Sequence, residues 1–271
     1  MSLPFRLAAI DLDGTLLGPD KQISPANRAA VADLQAAGVH VMLASGRRHE
    51  NMTRFHSLLG LHGPMVSAQG ALVKDVETGE VLHRRYVPPE LALEVVQHGI
   101  EERMSLIYYL DDGIHMTGFD RNTRLYQSRG GDELIDSGKM EHLAGCSPQK
   151  IIWLESPERI AAAFPVVSAR YEGRSNTLIS DPEYLEFMAF GVSKSVGLEA
   201  VAERYGINCS EVMSFGDANN DTTMLEWAGL GVAMSESTPL ARAAANWVAP
   251  DGEPENSFAR AVAKIFAEYA V

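Results

Sequence analysis

The sequence predicts an α/β fold, a parallel sheet flanked by helices, into which a smaller α+β domain is inserted. Three observations carry this expectation. Short aliphatic runs that read as buried strands alternate with helix-length amphipathic stretches towards both ends of the chain. The middle runs instead through strand pairs around tight turns. Polar clusters sit just past strand ends, where open α/β sheets place their ligand sites. The expected boundaries are 1–85 for the first core segment, 86–188 for the insertion and 189–271 for the second core segment.

Taken in order, Phe5 to Ile10 is an apolar strand pattern that hands over to Asp11-Leu-Asp-Gly-Thr15. Ser24 before Pro25 marks a helix start, Val31, Leu34 and Ala37 give its apolar stripe, and Gly38 ends it. Val39 to Ala44 is the next strand and stops at Ser45-Gly-Arg47, which completes a strand–helix–strand unit. A helix over Arg48 to Leu59 and a short third strand at Pro64 to Ser67 follow. Leu72 to His83 then reads as a hairpin around Glu77-Thr-Gly79.

In the insertion, the pattern predicts a helix from Pro88 to about Arg103, strands at Ser105 to Leu110 and Ile114 to Thr117, and another strand at Lys150 to Leu154. A helix over Pro157 to about Val167 and strands at Ser175 to Ser180 and Tyr184 to Met188 complete it, with the helices expected on one face. Asn122 to Gly145, polar and poorly periodic with a Gly130-Gly131 pair, reads as a mobile surface loop. The α/β rhythm resumes with a helix over Lys194 to Tyr205, a strand over Glu211 to Phe215, a helix over Asp221 to Ala228 and strands at Leu230 to Met234 and Trp247 to Ala249. Helices over Pro239 to Ala245 and Ser257 to Tyr269 fill the remaining intervals. Trp153, Phe164 and Trp247 lie among apolar neighbours and read as core or interface aromatics rather than stacking platforms.

Composition bounds the function. With 46% hydrophobic residues among 271, the chain can bury a sizeable core. A formal net charge of -13 argues against nonspecific attraction to nucleic acid or an anionic membrane. It is compatible with a small phosphorylated substrate, because one cation and a few basic groups reverse the local potential. Cys146 and Cys209 are too few for a disulfide scaffold. No signal-peptide pattern or membrane-length apolar run is seen, so the expectation is a cytoplasmic protein.

Four polar clusters fall past strand ends or at a helix start: Asp11 to Thr15, Ser45 to Arg47, Lys194, and Gly216-Asp-Ala-Asn-Asn-Asp221. Any one alone is ordinary loop chemistry, since Asp-Gly is a common turn pair. If the strands are parallel, most of the clusters meet at one sheet edge. Two carboxylates as close as Asp11 and Asp13 call for a cation or a shared proton, and Mg²⁺ favours hard oxygen ligands. Each residue then has a task in phosphoryl transfer. Asp11 can attack phosphorus, Asp13 can protonate the leaving oxygen and later activate water, and Asp217 can share the metal with Asp11 and the Asp13 backbone carbonyl. Asn220 and Asp221 can complete or orient that shell, and Asp221 can at the same time cap its own helix. Thr15, Ser45, Gly46, Lys194 and Asn220 are the candidate phosphate-binding set, and Arg47 reads as a brace for its loop. His115 and Met116 face either substrate or ordinary loop packing.

Together these motifs resemble the haloacid dehalogenase-like (HAD) hydrolases, and within them the Cof-type phosphatases with a large type IIB cap between the second and third motifs. Asp11-Leu-Asp-Gly-Thr15 looks like the family's nucleophile motif, Ala44-Ser-Gly-Arg47 its phosphate-binding Ser or Thr, Gly191-Val-Ser-Lys194 its Lys, and Gly216 to Asp221 its acidic metal motif. The resemblance implies a Rossmann-like core, Asp11 as nucleophile, Asp13 as acid/base, and Mg²⁺ held by Asp11, Asp13, Asp217 and Asp221. It further implies hydrolysis of a small phosphorylated metabolite, a sugar phosphate or similar, through an aspartyl phosphate, with the cap selecting the leaving group. One departure stands out: where many members read Asn-Gly-Ala, this chain has Gln69-Gly-Ala71.

The rival expectations are a phosphohexomutase that shares the first step and a noncatalytic phosphometabolite-binding protein. A dinucleotide-dependent redox enzyme is disfavoured, because no Gly-x-Gly-x-x-Gly turn follows the opening strand.

Overall fold

The computed structural model describes residues 2–130, 133–138 and 145–270. It divides into two compact units, one formed by the segment ending at His83 together with the one beginning at Ser193, the other by Arg84–Val192.

The first unit is built on β1 (Leu7–Ile10), whose four residues are all buried. It lies between β2 (His40–Leu43) and β12 (Val212–Gly216), and β13 (Leu230–Ala233) and β14 (Trp247–Val248) extend the sheet in the order β14-β13-β12-β1-β2. Every pairing in it is parallel, with Leu7 opposite both His40 and Val212. The alternation of β1 divides its side chains between two faces. Ala8 and Ile10 pack with Val31 and Leu34 of α1 (Pro25–Ala36) and Phe258 and Ile265 of α9 (Ser257–Tyr269). Leu7 and Ala9 pack with Leu198 and Val201 of α6 (Lys194–Tyr205) and Met224 of α7 (Thr222–Trp227).

Local signals fix the helix ends, as in α8 (Pro239–Ala244), where Thr238 accepts from Ala241 N–H at 3.3 Å. Ser24 accepts from Asn27 N–H at 3.1 Å, with Pro25 in the first turn, and Ser193 caps α6, which closes at left-handed Gly206. Buried Asn27 ties α1 to α9. Its Nδ2 donates to Leu16 O and Glu255 O, both at 2.9 Å, and its Oδ1 accepts from Ala259 N–H at 3.0 Å.

The third strand forms at the expected Pro64–Ser67, but it belongs to a separate sheet. After α2 (His49–Leu58), β3 (Pro64–Ser67) pairs antiparallel with β4 (Leu72–Asp75), and β5 (Val81–Arg84) completes a separate three-stranded sheet. A single parallel bridge, Ala44 to Val66, links it to the main sheet.

The second unit carries a mixed sheet in the order β10-β11-β9-β6-β7-β8. Its strands are β6 (Ser105–Leu110), β7 (Gly113–Met116), β8 (Leu134–Asp136), β9 (Lys150–Leu154), β10 (Ser175–Asp181) and β11 (Tyr184–Ala189). All pairs are antiparallel except β7 with β8. Leu106, Tyr108, Ile151, Trp153 and Phe187 bury one face against α3 (Pro89–Glu101) and α5 (Pro157–Arg170).

Two expectations are corrected here. Asn122 to Gly145 is not simply a loop, because it contains β8 and most of α4 (Arg121–Gly130); residues 131–132 and 139–144 lie outside the described residues. Nor are the helices confined to one face. Tyr126 of α4 packs with Ile107, Tyr109, Ile152 and Tyr184 on the other side of the sheet. The start of α4 is fixed by Asp120 and Thr123, each side chain accepting from the other's backbone N–H, at 2.8 and 2.9 Å. His115 is buried in β7, bonded to Ser137 at 2.8 Å and Asp112 at 3.0 Å, so it packs as part of the insertion.

Candidate active site

The parallel register brings the ends of β1 and β12 side by side. Asp11 N–H donates to Phe215 O at 3.0 Å, carrying the pairing one residue past the strand. The chain then bends at Gly14, whose φ of +83° is in the left-handed region. A Cβ there would stand 2.3 Å from Asp217 Oδ2, so the bend and the close approach both require glycine. Thr15 Oγ1 secures the approach by donating to Asp217 Oδ1 at 2.9 Å.

Lys194, in the first turn of α6, ends within 2.5 Å of both Asp11 Oδ1 and Asp221 Oδ1. Its side chain is fully buried. Asp221 uses its second oxygen to accept from the N–H groups of Asp217 and Ala218, at 2.9 and 3.0 Å. It therefore folds the turn after β12 while orienting the lysine.

The electrostatics are set by burial and by crowding of like charges. Burial pushes Asp11 up to about 7, against the opposing pull of Lys194. Asp217 is raised well above the usual carboxylate range by burial and then by Asp11 and Asp221. Burial works against the charge of Lys194, but Asp11 and Asp221 together hold its pKa above the ordinary lysine range.

Asp11, Asp217 and Asp221 each bring a carboxylate oxygen within 4.8 Å of the others. One ammonium against three carboxylates leaves an excess of negative charge that a divalent cation would balance. The donors are hard oxygens, and Asp11 and Asp217 have oxygens outside the Lys194 and Thr15 contacts, so the residues present fit such an ion.

Asp13 stands apart from that cluster through its side chain. Arg47 donates to it through two nitrogens, at 2.7 and 2.8 Å, and Lys21 Nζ adds a third bond at 2.9 Å. Burial alone would raise its pKa, but the Arg47 fork and Lys21 lower it to about 2. Arg47 thus braces its neighbourhood by holding Asp13.

Ser45 is buried, its N–H donating to Val66 O at 2.9 Å and its Oγ accepting from Arg47 N–H at 3.3 Å. Gly46 lies against the amide of Gln69, and Asn220 donates to the same amide at 3.1 Å. The structure therefore joins Asp11, Thr15, Lys194, Asp217 and Asp221 in one network, and gathers Ser45, Gly46 and Asn220 around Gln69. A cavity of about 230 Å³ beside Gly14, Lys21, Asp217, Ser235 and Glu236 adjoins the first network. The fold thus brings the expected catalytic, metal and phosphate-binding residues to the two networks or to the Arg47 fork, whereas His115 and Met116 pack within β7 of the inserted unit.

Two participants lacked a usable signal. Lys21 is a lone loop lysine whose reach to Asp13 depends on a left-handed backbone, φ +60°. Gln69 is visible in sequence as a departure from a motif, but its contacts with Gly46 and Asn220 come from the tertiary fold.

Comparison with known proteins gives a consistent picture. The haloacid dehalogenase-like hydrolase family profile matches residues 8–262. An HMP-PP phosphatase of Yersinia pseudotuberculosis is 28% identical over 235 residues, 87% of this chain and 85% of that protein. A haloacid dehalogenase-like hydrolase from Bacteroides thetaiotaomicron superposes with a TM-score of 0.85 at 24% identity, covering 97% of this chain and all of the other. A HAD subclass IIB sugar phosphatase shares the fold with a TM-score of 0.83 at 20% identity, covering 97% and 99%.

Proposed function

Because the chain belongs to the haloacid dehalogenase-like hydrolases, a family whose profile spans residues 8–262, we propose that it is a Mg²⁺-dependent phosphomonoesterase working through an aspartyl phosphate. The observation that carries this is the cluster of Asp11, Asp217, Asp221 and Lys194 at the ends of the parallel strands. Its divalent cation would be held by Asp11 and Asp217 and would supply charge neutralisation to the phosphoryl oxygens.

Asp11 is the nucleophile. One of its oxygens bonds to phosphorus as the bond to the leaving oxygen breaks, and a proton from Asp13 completes the released alcohol. Water then attacks the acyl phosphate, Asp13 takes its proton, and inorganic phosphate leaves with Asp11 restored. The Arg47 and Lys21 fork keeps Asp13 ionised, the form needed to accept a proton from water. The acid half requires that fork to loosen, and the negative charge of an arriving phosphoryl group competes for the same guanidinium and ammonium. Ser45, the Gly46 backbone, Thr15, Lys194 and Asn220 form the phosphate-binding set, with Asp221 fixing Lys194 in place.

The substrate is a small phosphorylated metabolite. A sugar phosphate is the expectation drawn from the sequence. HMP-PP is the second reading, favoured by relatives of that name in Yersinia pseudotuberculosis and Serratia proteamaculans. Leaving-group selectivity is assigned to the Arg84–Val192 unit, in keeping with a Cof-type, IIB cap. Among the described residues no helix is long and apolar enough to cross a membrane, and Cys146 and Cys209 are free thiols. Both fit the proposed cytoplasmic location.

The test is phosphate release from a panel holding sugar phosphates and HMP-PP, with Mg²⁺, beside a chelator control and Asp11→Asn. Selective release that needs both the cation and Asp11 is expected. Release that survives Asp11→Asn unchanged would remove the aspartyl phosphate from the mechanism, and isomerised product without release would make the protein a mutase.

A further inference from the structure

The turn between β3 and β4 carries three successive residues with positive φ: Ala68 at 48°, Gln69 at 61° and Gly70 at 100°. Only the last is a glycine. The conformation is stitched to the loop after β2, with Ala68 N–H donating to Arg47 O at 2.8 Å and Gln69 N–H to Ser45 O at 3.1 Å. Strain of this kind persists where surrounding contacts over-determine it.

The Gln69 side chain is 3% exposed and spans two parts of the site. Its Oε1 accepts from Asn220 Nδ2 at 3.1 Å. Its Nε2 lies so near Gly46 that a Cβ on that residue would be 2.6 Å away. Asn220 Oδ1, also buried, has no partner among the described residues. One amide therefore links the loop holding Ser45 and Gly46 with the turn holding Asp217, Asn220 and Asp221.

We infer that Gln69 is a positioning residue for phosphoryl transfer, setting the separation of the Gly46 backbone and the Asn220 amide so that both meet the same phosphoryl group. The inference rests on the phosphatase reading above. Folding alone would favour glycine at this backbone conformation, with asparagine next. Glycine would remove the link, and asparagine, one methylene shorter, would not span both contacts. A side chain that opposes the local backbone preference and joins two loops of the site is explained by what it holds apart.

The test compares the parent with Gln69→Gly and Gln69→Asn. It measures kcat and KM for p-nitrophenyl phosphate and for the best substrate of the panel, inhibition by orthovanadate, and the thermal midpoint. In the glycine variant relief of the backbone strain offsets the lost bond to Asn220, so its thermal midpoint is expected to stay close to that of the parent. Its kcat and its orthovanadate affinity should nevertheless fall by about tenfold or more, with KM changed less than kcat. Gln69→Asn should fall in the same direction, and it decides the matter if the glycine variant proves unfolded. Combining Gln69→Gly with Asn220→Ala should cost little more than the worse single change, as expected for residues acting as one unit.

Two active, folded variants within about twofold of the parent in kcat and orthovanadate affinity would overturn the inference while leaving Asp11-dependent hydrolysis intact. A parent that releases no phosphate, or releases it equally after Asp11→Asn, would instead bring down the phosphatase reading and this inference with it.

Discussion

Asp11 and Asp13 are two residues apart in sequence and live in opposite electrostatic settings. Asp11 is buried among carboxylates and relieved by one lysine, whereas Asp13 is held by two cations. Asp11→Asn keeps the shape of the first while removing its nucleophilicity, so turnover should drop by roughly 10³-fold or more with the fold retained, as read by circular dichroism. Lys194→Met should act on stability as well, because it strands Asp11 and Asp221 without their shared partner. A loss of about 3 kcal/mol in urea titration is expected. Added Mg²⁺ should raise the thermal midpoint of the parent, and Asp217→Asn should abolish that rise. For Asp13 the sign follows from its lowered pKa. The stabilisation it contributes is present above the ordinary value of 3.8 and is lost as pH falls towards about 2. With a chelator present, the stability gap between the parent and Asp13→Asn should therefore be widest near neutrality and close in strong acid.

At the scale of elements, Asn27 shows how a polar residue can organise a core. Three hydrogen bonds from one buried amide join α1, the loop after β1 and α9. Asn27→Ala should lower stability by about 3 kcal/mol, measured by chemical denaturation, since each lost bond leaves a buried partner unsatisfied. The same scale shows what the sequence made legible. Buried aliphatic runs, Ser-Pro helix starts and Gly stops located β1, α1 and β2 because those signals are local and the sheet is parallel with both faces covered. The carboxylates of the site were legible for the same reason, standing where strands end. The helix α4 was not, although Asp120 and Thr123 form a capping pair, because its composition is strongly polar, with only Leu125 and Tyr126 as large apolar residues. The partner of β3 was hidden too, since four buried residues fit either sheet and only tertiary pairing decides between them. Lys21 and the contacts of Gln69, itself visible only as a departure from a motif, lay beyond reach because left-handed backbone at a residue with a side chain is imposed by neighbours, at a cost of about 1 to 2 kcal/mol each.

Over the whole molecule, the chain crosses from one unit to the other near His83 and returns near Ser193. The inserted unit has its own hydrophobic clusters on both faces of its sheet, so Arg84–Val192 expressed alone should give cooperative thermal unfolding with near-ultraviolet circular dichroism. A gradual, featureless melt would show that it depends on the flanking segments. The core cannot be divided in that way. Its central strand takes one neighbour from close by in sequence and the other from the far end, Leu7 lying opposite both His40 and Val212. On a ribosome, β1 therefore emerges long before β12 exists to cover its second edge. Until then that edge is unpaired and Asp11 has neither Lys194 nor Asp217 beside it, so the nascent chain should depend on chaperone protection until β12 is made.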